Sequence, residues 1–287
     1  MPRPTIRRAA VLLALAAVAL SATGCAELRK TFGIDTPSAR VVGAQLENIG
    51  LEAATLAFDV EVTNPLSAPL PLANLDYDLA SGGTGFLSGT APLAGTVPAG
   101  STKTVKLPVS ITYADLLKAL SGVRPGAVVP YEAEVGLSVD VPAAGPLRLP
   151  LKKTGEVPVP APPTVEVQEV NWSDLSLQKV AGLARLHIQN PNQFPVDLST
   201  FAYALSLGGV PVADTAIARP VHFDADGGAA TVEVPIALSP KSLGAAAWNV
   251  LTGKGAGYDL TGKMDLTTPF GPMNLPIKGI GETLFKK

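Results

Sequence analysis

The sequence repeats itself at a fixed spacing, which restricts the chain to an architecture that can be built twice. Asn64-Pro65 returns as Asn190-Pro191, Pro69 as Pro195, Tyr77 as Tyr203, and LPLKKTGE (149–156) as LPIKGIGE (275–282), every pair 126 residues apart. VKLPVSIT (105–112) returns as VEVPIALS (232–239) at 127, so single-residue slips fall in loops. Self-similarity at one spacing marks a duplicated unit. The copies occupy residues 41–156 and 165–287 and are joined by VPVPAPPT (157–164). Its prolines favour an extended polyproline-like spacer, or else a last edge strand in which alternate prolines are tolerated.

Within each copy the apolar period is two. Leu56, Phe58, Val60 and Val62 alternate with Ala57, Asp59, Glu61 and Thr63, and their counterparts Ala184, Leu186 and Ile188 alternate with Arg185, His187 and Gln189. A strand with one buried and one wet face has this pattern. Val105, Leu107, Val109 and Ile111 repeat it against Val232, Val234, Ile236 and Leu238, and turn clusters such as VPAGST (97–102) and DADGGA (224–229) separate the runs. The rhythm predicts an all-β chain of two tandem antiparallel sandwiches. One segment per copy departs from it. Thr112–Gly122 places Leu116, Leu117 and Leu120 at helical spacing between an N-cap and a glycine stop. Its counterpart runs from Ser239-Pro240 to Gly253 and carries Ala247, Trp248 and Leu251. Each sandwich is therefore expected to hold one short α-helix, with Trp248 packing helix to sheet.

The N-terminus is of another kind. Arg7 and Arg8 precede the apolar run Ala9–Leu20, and small residues lead to Cys25. Residues 1–24 read as a signal peptide, their apolar run being shorter than the ~18 apolar residues that a membrane span needs. Ala22-Thr23-Gly24-Cys25 resembles a bacterial lipobox, which implies cleavage before Cys25 and its lipidation; a free thiol or an intermolecular bridge is the other fate of a single cysteine in an exported chain. Ala26 after the cysteine implies an outer-membrane anchor facing the periplasm. Residues 25–40 then serve as a tether. Without the leader the chain holds 19 basic and 24 acidic residues, so nucleic acid is not an expected partner. The expected partners are the membrane, through the lipid, and envelope proteins or lipids.

A strand ending in Asn-Pro, a Pro-Leu or Pro-Val step, a Tyr-bearing strand, a VxVP strand and a helix stopped by Gly together resemble the WHy (water stress and hypersensitive response) domain of the type-2 late embryogenesis abundant family. The second copy has the NPN signature whole, as Asn190, Pro191 and Asn192; the first keeps Asn64 and Pro65 but has Leu66 third. The resemblance implies immunoglobulin-like or fibronectin-like sandwiches, no cofactor and an association with water stress. Independently of the family, proline removes a ladder donor and Asn folds back on the backbone, so Asn-Pro ends a strand. A structural role is the main reading for these residues; recognition of a polar ligand by the Asn64 and Asn190 amides is the alternative.

Catalytic vocabulary is sparse, and neither a catalytic residue nor a metal site is expected. His187 falls on the polar side of its strand. His222, Asp224 and Asp226 in HFDADGG lack the third acid and distal Glu of a calcium loop and read as a hairpin turn. SGGTGFLSG (81–89) reads as another hairpin, and Tyr77 and Tyr203 as core residues with hydroxyls at the sandwich edge. The expected function is non-enzymatic protection of envelope proteins or membrane under drying, with a lipid- or protein-binding scaffold as the alternative.

Overall fold

The computed structural model describes residues 36–176, 180–238 and 255–286. The leader, Cys25, most of the tether, Trp248 and the whole of the expected second helix lie outside the described residues.

Each copy forms two facing sheets. In the first unit β1 (Ser38–Glu47), β2 (Ala53–Asn64) and β6 (Ser101–Thr112) make one sheet in the order β1-β2-β6. The other runs β4 (Thr84–Pro92), β3 (Leu70–Ser81), β7 (Val128–Val141), β8 (Gly145–Pro158), with the short β5 (Thr96–Val97) on β3. The second unit repeats this with β9 (Thr164–Leu175), β10 (Val180–Gln189) and β14 (Ala229–Leu238) facing β12 (Val210–Ile217), β11 (Val196–Leu207), β15 (Ala256–Thr268) and β16 (Gly271–Lys286). β13 (Val221–Phe223) takes the place of β5. Even irregularities are copied. β1 bulges at Val42 against β2, and β9 bulges at Gln168 against β10.

The alternation read from the sequence sets the cores. Leu56, Phe58, Val60 and Val62 are buried on β2, and Ala184, Leu186 and Ile188 on β10. Opposite them lie Leu107, Val109 and Ile111 on β6 and Val232, Val234 and Ile236 on β14. Each such side chain contributes roughly 1.5–3 kcal/mol on burial, before the entropy of ordering it. The hairpins close as the glycines require: Gly82 and Gly83 have φ of 53° and 80°, and Gly208 and Gly209, at the same places in the second unit, 56° and 79°. Two consecutive positive-φ residues are the mark of a tight β-hairpin turn.

Three details differ from expectation. The first helix, α1, covers only Tyr113–Ala119. Thr112 makes no side-chain cap bond; its hydroxyl goes to the Asp115 carboxylate, and the backbone is already extended at Leu120, two residues short of the expected glycine stop. Tyr77 is half-buried and lies over its cross-strand partner Gly89, while Tyr203 is buried and donates its hydroxyl to the Pro235 carbonyl of the facing sheet at 3.1 Å. Burial pushes the Tyr203 phenol up to about 12. Finally, the second unit is not purely antiparallel. Leu284–Lys286 of β16 pair parallel with Glu169–Asn171 of β9 and join its sheets along one edge.

Candidate functional site

The duplicated Asn-Pro corners stand where β2 and β10 end. In the first, Asn64 is fully buried, and its amide nitrogen donates to the carbonyls of Ala68, Val97 and Pro98 at 2.9, 3.1 and 3.0 Å. Its side-chain oxygen accepts the Leu66 amide at 3.1 Å, an Asx turn around Pro65. One side chain thus ties the end of β2 to the β5–β6 connection. A buried amide keeps its place only when its groups are bonded, since each one orphaned costs ~1–3 kcal/mol.

The second corner does the same and more. Asn190 Nδ2 donates to the carbonyls of Phe194 and Asp224 at 2.8 and 3.0 Å, and Oδ1 accepts the Asn192 backbone amide at 3.1 Å. The turn across from it is copied too: Gly100 donates to the Leu66 carbonyl and Asp226, at the same place, to that of Asn192. Asp226 has φ of 54° and Gly227 96°, so DADGG is a hairpin built on left-handed residues. Among the described residues no cluster of three or more His, Cys, Asp or Glu could hold a metal.

Asn192 reaches out of its own unit. Its Oδ1 accepts the Ala161 amide at 2.8 Å, and its Nδ2 donates to the Ala161 carbonyl at 3.1 Å and to Asn190 Oδ1 at 2.7 Å. The amide thereby grips the connecting segment at two points, as a neighbouring strand would. Gln193 extends the contact. Its backbone amide donates to the Gly126 carbonyl at 2.7 Å, and its Oε1 accepts the Val128 amide at 3.0 Å. Gly126 has φ of 96°, and a β-carbon there would stand 2.7 Å from the Pro191 carbonyl oxygen, so only glycine lets the first unit come this close. The connector itself is packed, with Val157, Val159 and Ala161 buried.

The remaining candidates are surface groups. His187 is half-buried on the polar side of β10. His222 Nδ1 lies 2.7 Å from Asp197 Oδ1, and Nε2 lies 3.5 Å from Asp224; the Asp197 carboxylate holds the imidazole above its ordinary range. On the β9–β10–β14 face Arg185 joins Glu169 at 2.7 Å to Glu233 at 3.0 Å. Glu169 also binds Lys286, which, with the Asn171 amide, holds its carboxyl below the usual range.

Gln193 and Gly126, which couple the units alongside Asn192, do not stand out in the sequence. The available signal was the third corner position, Leu66 in one copy and Asn192 in the other, because a polar residue that only one copy keeps has a partner that only one copy meets.

The fold and its paired corners define a class: a duplicated β-sandwich protein whose signature asparagines are built into backbone junctions. Comparison with known proteins specifies it. The family model for late embryogenesis abundant proteins (LEA_2) matches residues 59–155 and again 185–280. The chain therefore belongs to this late embryogenesis abundant family, in two tandem copies. It is 31% identical over 131 residues to late embryogenesis abundant protein Lea14-A of Gossypium hirsutum, covering 46% of this chain and 87% of that one. It is 28% identical over 131 residues to the desiccation protectant protein Lea14 homolog of Glycine max, covering 46% and 86%. Desiccation-related protein PCC27-45 of Craterostigma plantagineum is 30% identical over 132 residues, covering 46% and 87%. Among solved structures, the solution structure of a late embryogenesis abundant protein aligns with a TM-score of 0.38 and 25% identity, covering 53% of this chain and 89% of that chain.

Proposed function

We propose that this is a non-enzymatic protective protein of the cell envelope, anchored by lipid on Cys25 and acting when water is lost. The observation that carries the reading is that both units match one family whose similar members are named for desiccation. The second support is chemical. The signature amides of Asn64, Asn190 and Asn192 are buried and bonded to protein, so the corners that define the family present structure and not reactive groups. The anchor rests on the lipobox-like sequence at Cys25. Two or more acyl chains hold a protein stably at a bilayer, since each buried methylene contributes about 0.8 kcal/mol.

A soluble Cys25→Ala form, dried or heated with a labile client enzyme, is expected to preserve more client activity than an equal mass of inert protein; equal preservation refutes protection. Metabolic labelling with a radioactive fatty acid is expected to mark the exported chain and not its Cys25→Ala variant. An unlabelled chain refutes the anchor alone.

A further inference from the structure

The two units part company along the seam where the first and last strands of each meet. In the second, Leu284–Lys286 lie parallel to Glu169–Asn171 and close it. The matching residues of the first unit are Pro158–Pro160 and Gly43–Gln45, and no ladder joins β8 to β1.

Two sequence differences account for this. Gly279 lets β16 run against β9, where a β-carbon would stand 2.6 Å from the Val165 carbonyl oxygen. The first unit has Lys153 at that place, and a residue with a β-carbon cannot make the approach that Gly279 makes. Pro158 and Pro160 replace Leu284 and Lys286, and neither has an amide hydrogen to offer β1.

The opened seam leaves a cavity of about 300 Å³, lined by Ala44 and Leu46 of β1, Tyr131 of β7, Phe270 of the second unit and, on β8, Lys153 and Glu156. Ala44 and Gln45 are the counterparts of the residues to which β16 pairs in the other unit. Just past the cavity, Ile49 already has a parallel backbone partner in Met273, so the seam runs on into the contact between the units.

We infer that this slot is a strand-binding site. Its occupant is a short extended segment of another protein, running parallel to β1 with one large apolar side chain pointing inward. The filled seam supplies the chemistry. Phe285 is buried there with its ring 5.8 Å from Trp172, edge to face, while Leu284 and Lys286 point outward. Main-chain pairing gives affinity in such additions, and the alternate side chains give selectivity. A second copy of this chain is the weaker occupant, because its own segment of this kind is already held by β9.

The test uses the full chain in mild detergent and a fluorescent peptide, Gly-Glu-Thr-Leu-Phe-Lys-Lys. A saturable rise in anisotropy is expected, weakened about tenfold or more by Phe→Ser in the peptide and by Ala44→Phe in the protein. A benzophenone placed at the peptide phenylalanine should cross-link to β1 or β8. The inference falls if binding does not saturate, if an Ala44→Phe chain with unchanged circular dichroism binds equally well, or if the adducts lie in the second unit. It falls equally if the peptide-free chain forms a dimer that Ala44→Phe abolishes, since a second copy would then fill the slot. Binding is read without a client enzyme, so this inference and the protective reading can fail separately.

Discussion

The first and second Asn-Pro corners share a backbone and diverge in what they hold. Asn64 and Asn190 occupy equivalent places, end equivalent strands and bond the same two connections. Two residues on, Leu66 is half-buried against its own unit, whereas Asn192 is buried against the connector. The lesson is that one motif carries two separable tasks. Its first asparagine stitches a sandwich together; its third position, when polar, fastens that sandwich to whatever precedes it.

Removing the shared task should have the largest effect. Asn64→Ala and Asn190→Ala each orphan several buried backbone groups, and at ~1–3 kcal/mol per group each variant should lose roughly 3 kcal/mol or more in denaturant melts. Equal losses from the two variants support equivalence; a loss from only one breaks it. The task held by one corner alone comes next. Asn192→Leu, which rewrites the second corner as the first, should cost about 2 kcal/mol and speed hydrogen exchange at the Ala161 amide. The reciprocal Leu66→Asn should leave both readings nearly unchanged.

Gly126→Ala sharpens the comparison from the other side of the contact. It keeps both corners but meets the Pro191 carbonyl with a strained backbone, for a loss of about 1–2 kcal/mol. Calorimetry should then separate one transition into two as the units uncouple. The smallest effect belongs to His222, on β13, where the first unit's β5 has no histidine. Its folded-state pKa is raised by Asp197, so its contribution is complete below the unfolded value of about 6.5 and is lost as pH rises through the folded value. His222→Gln should flatten that small decline in melting temperature between mildly acidic and mildly alkaline pH; an unchanged slope would assign the decline elsewhere.

Much of this was legible beforehand. Period-two patterning marks strands because alternate side chains face opposite sides of a sheet, and Leu56, Phe58, Val60 and Val62 with Ala184, Leu186 and Ile188 are buried as that rule requires, although Ala57 on the other face is buried as well. The Asn-Pro ends follow as directly, since proline removes a ladder donor and asparagine supplies a local acceptor. The length of α1 did not follow from helical spacing: Leu116 and Leu120 both reach the core as that spacing requires, yet the backbone has already left the helix at Leu120. Tyr77 and Tyr203 align in sequence, yet one covers a glycine at half burial and the other bonds across the sandwich. Their difference lies in their neighbours on adjacent strands.

The chain's own letters determined the duplication, the strand faces and the two corners, because repetition, alternation and local hydrogen bonding act over a few residues at a time. Tertiary structure alone decided that Asn192 takes the connector, that Gly126 admits the Pro191 carbonyl, and that the seam which Gly279 allows to close in one unit stays unpaired in the other. Those outcomes depend on contacts of a few ångströms between segments tens of residues apart, where one β-carbon or one missing amide hydrogen selects the arrangement.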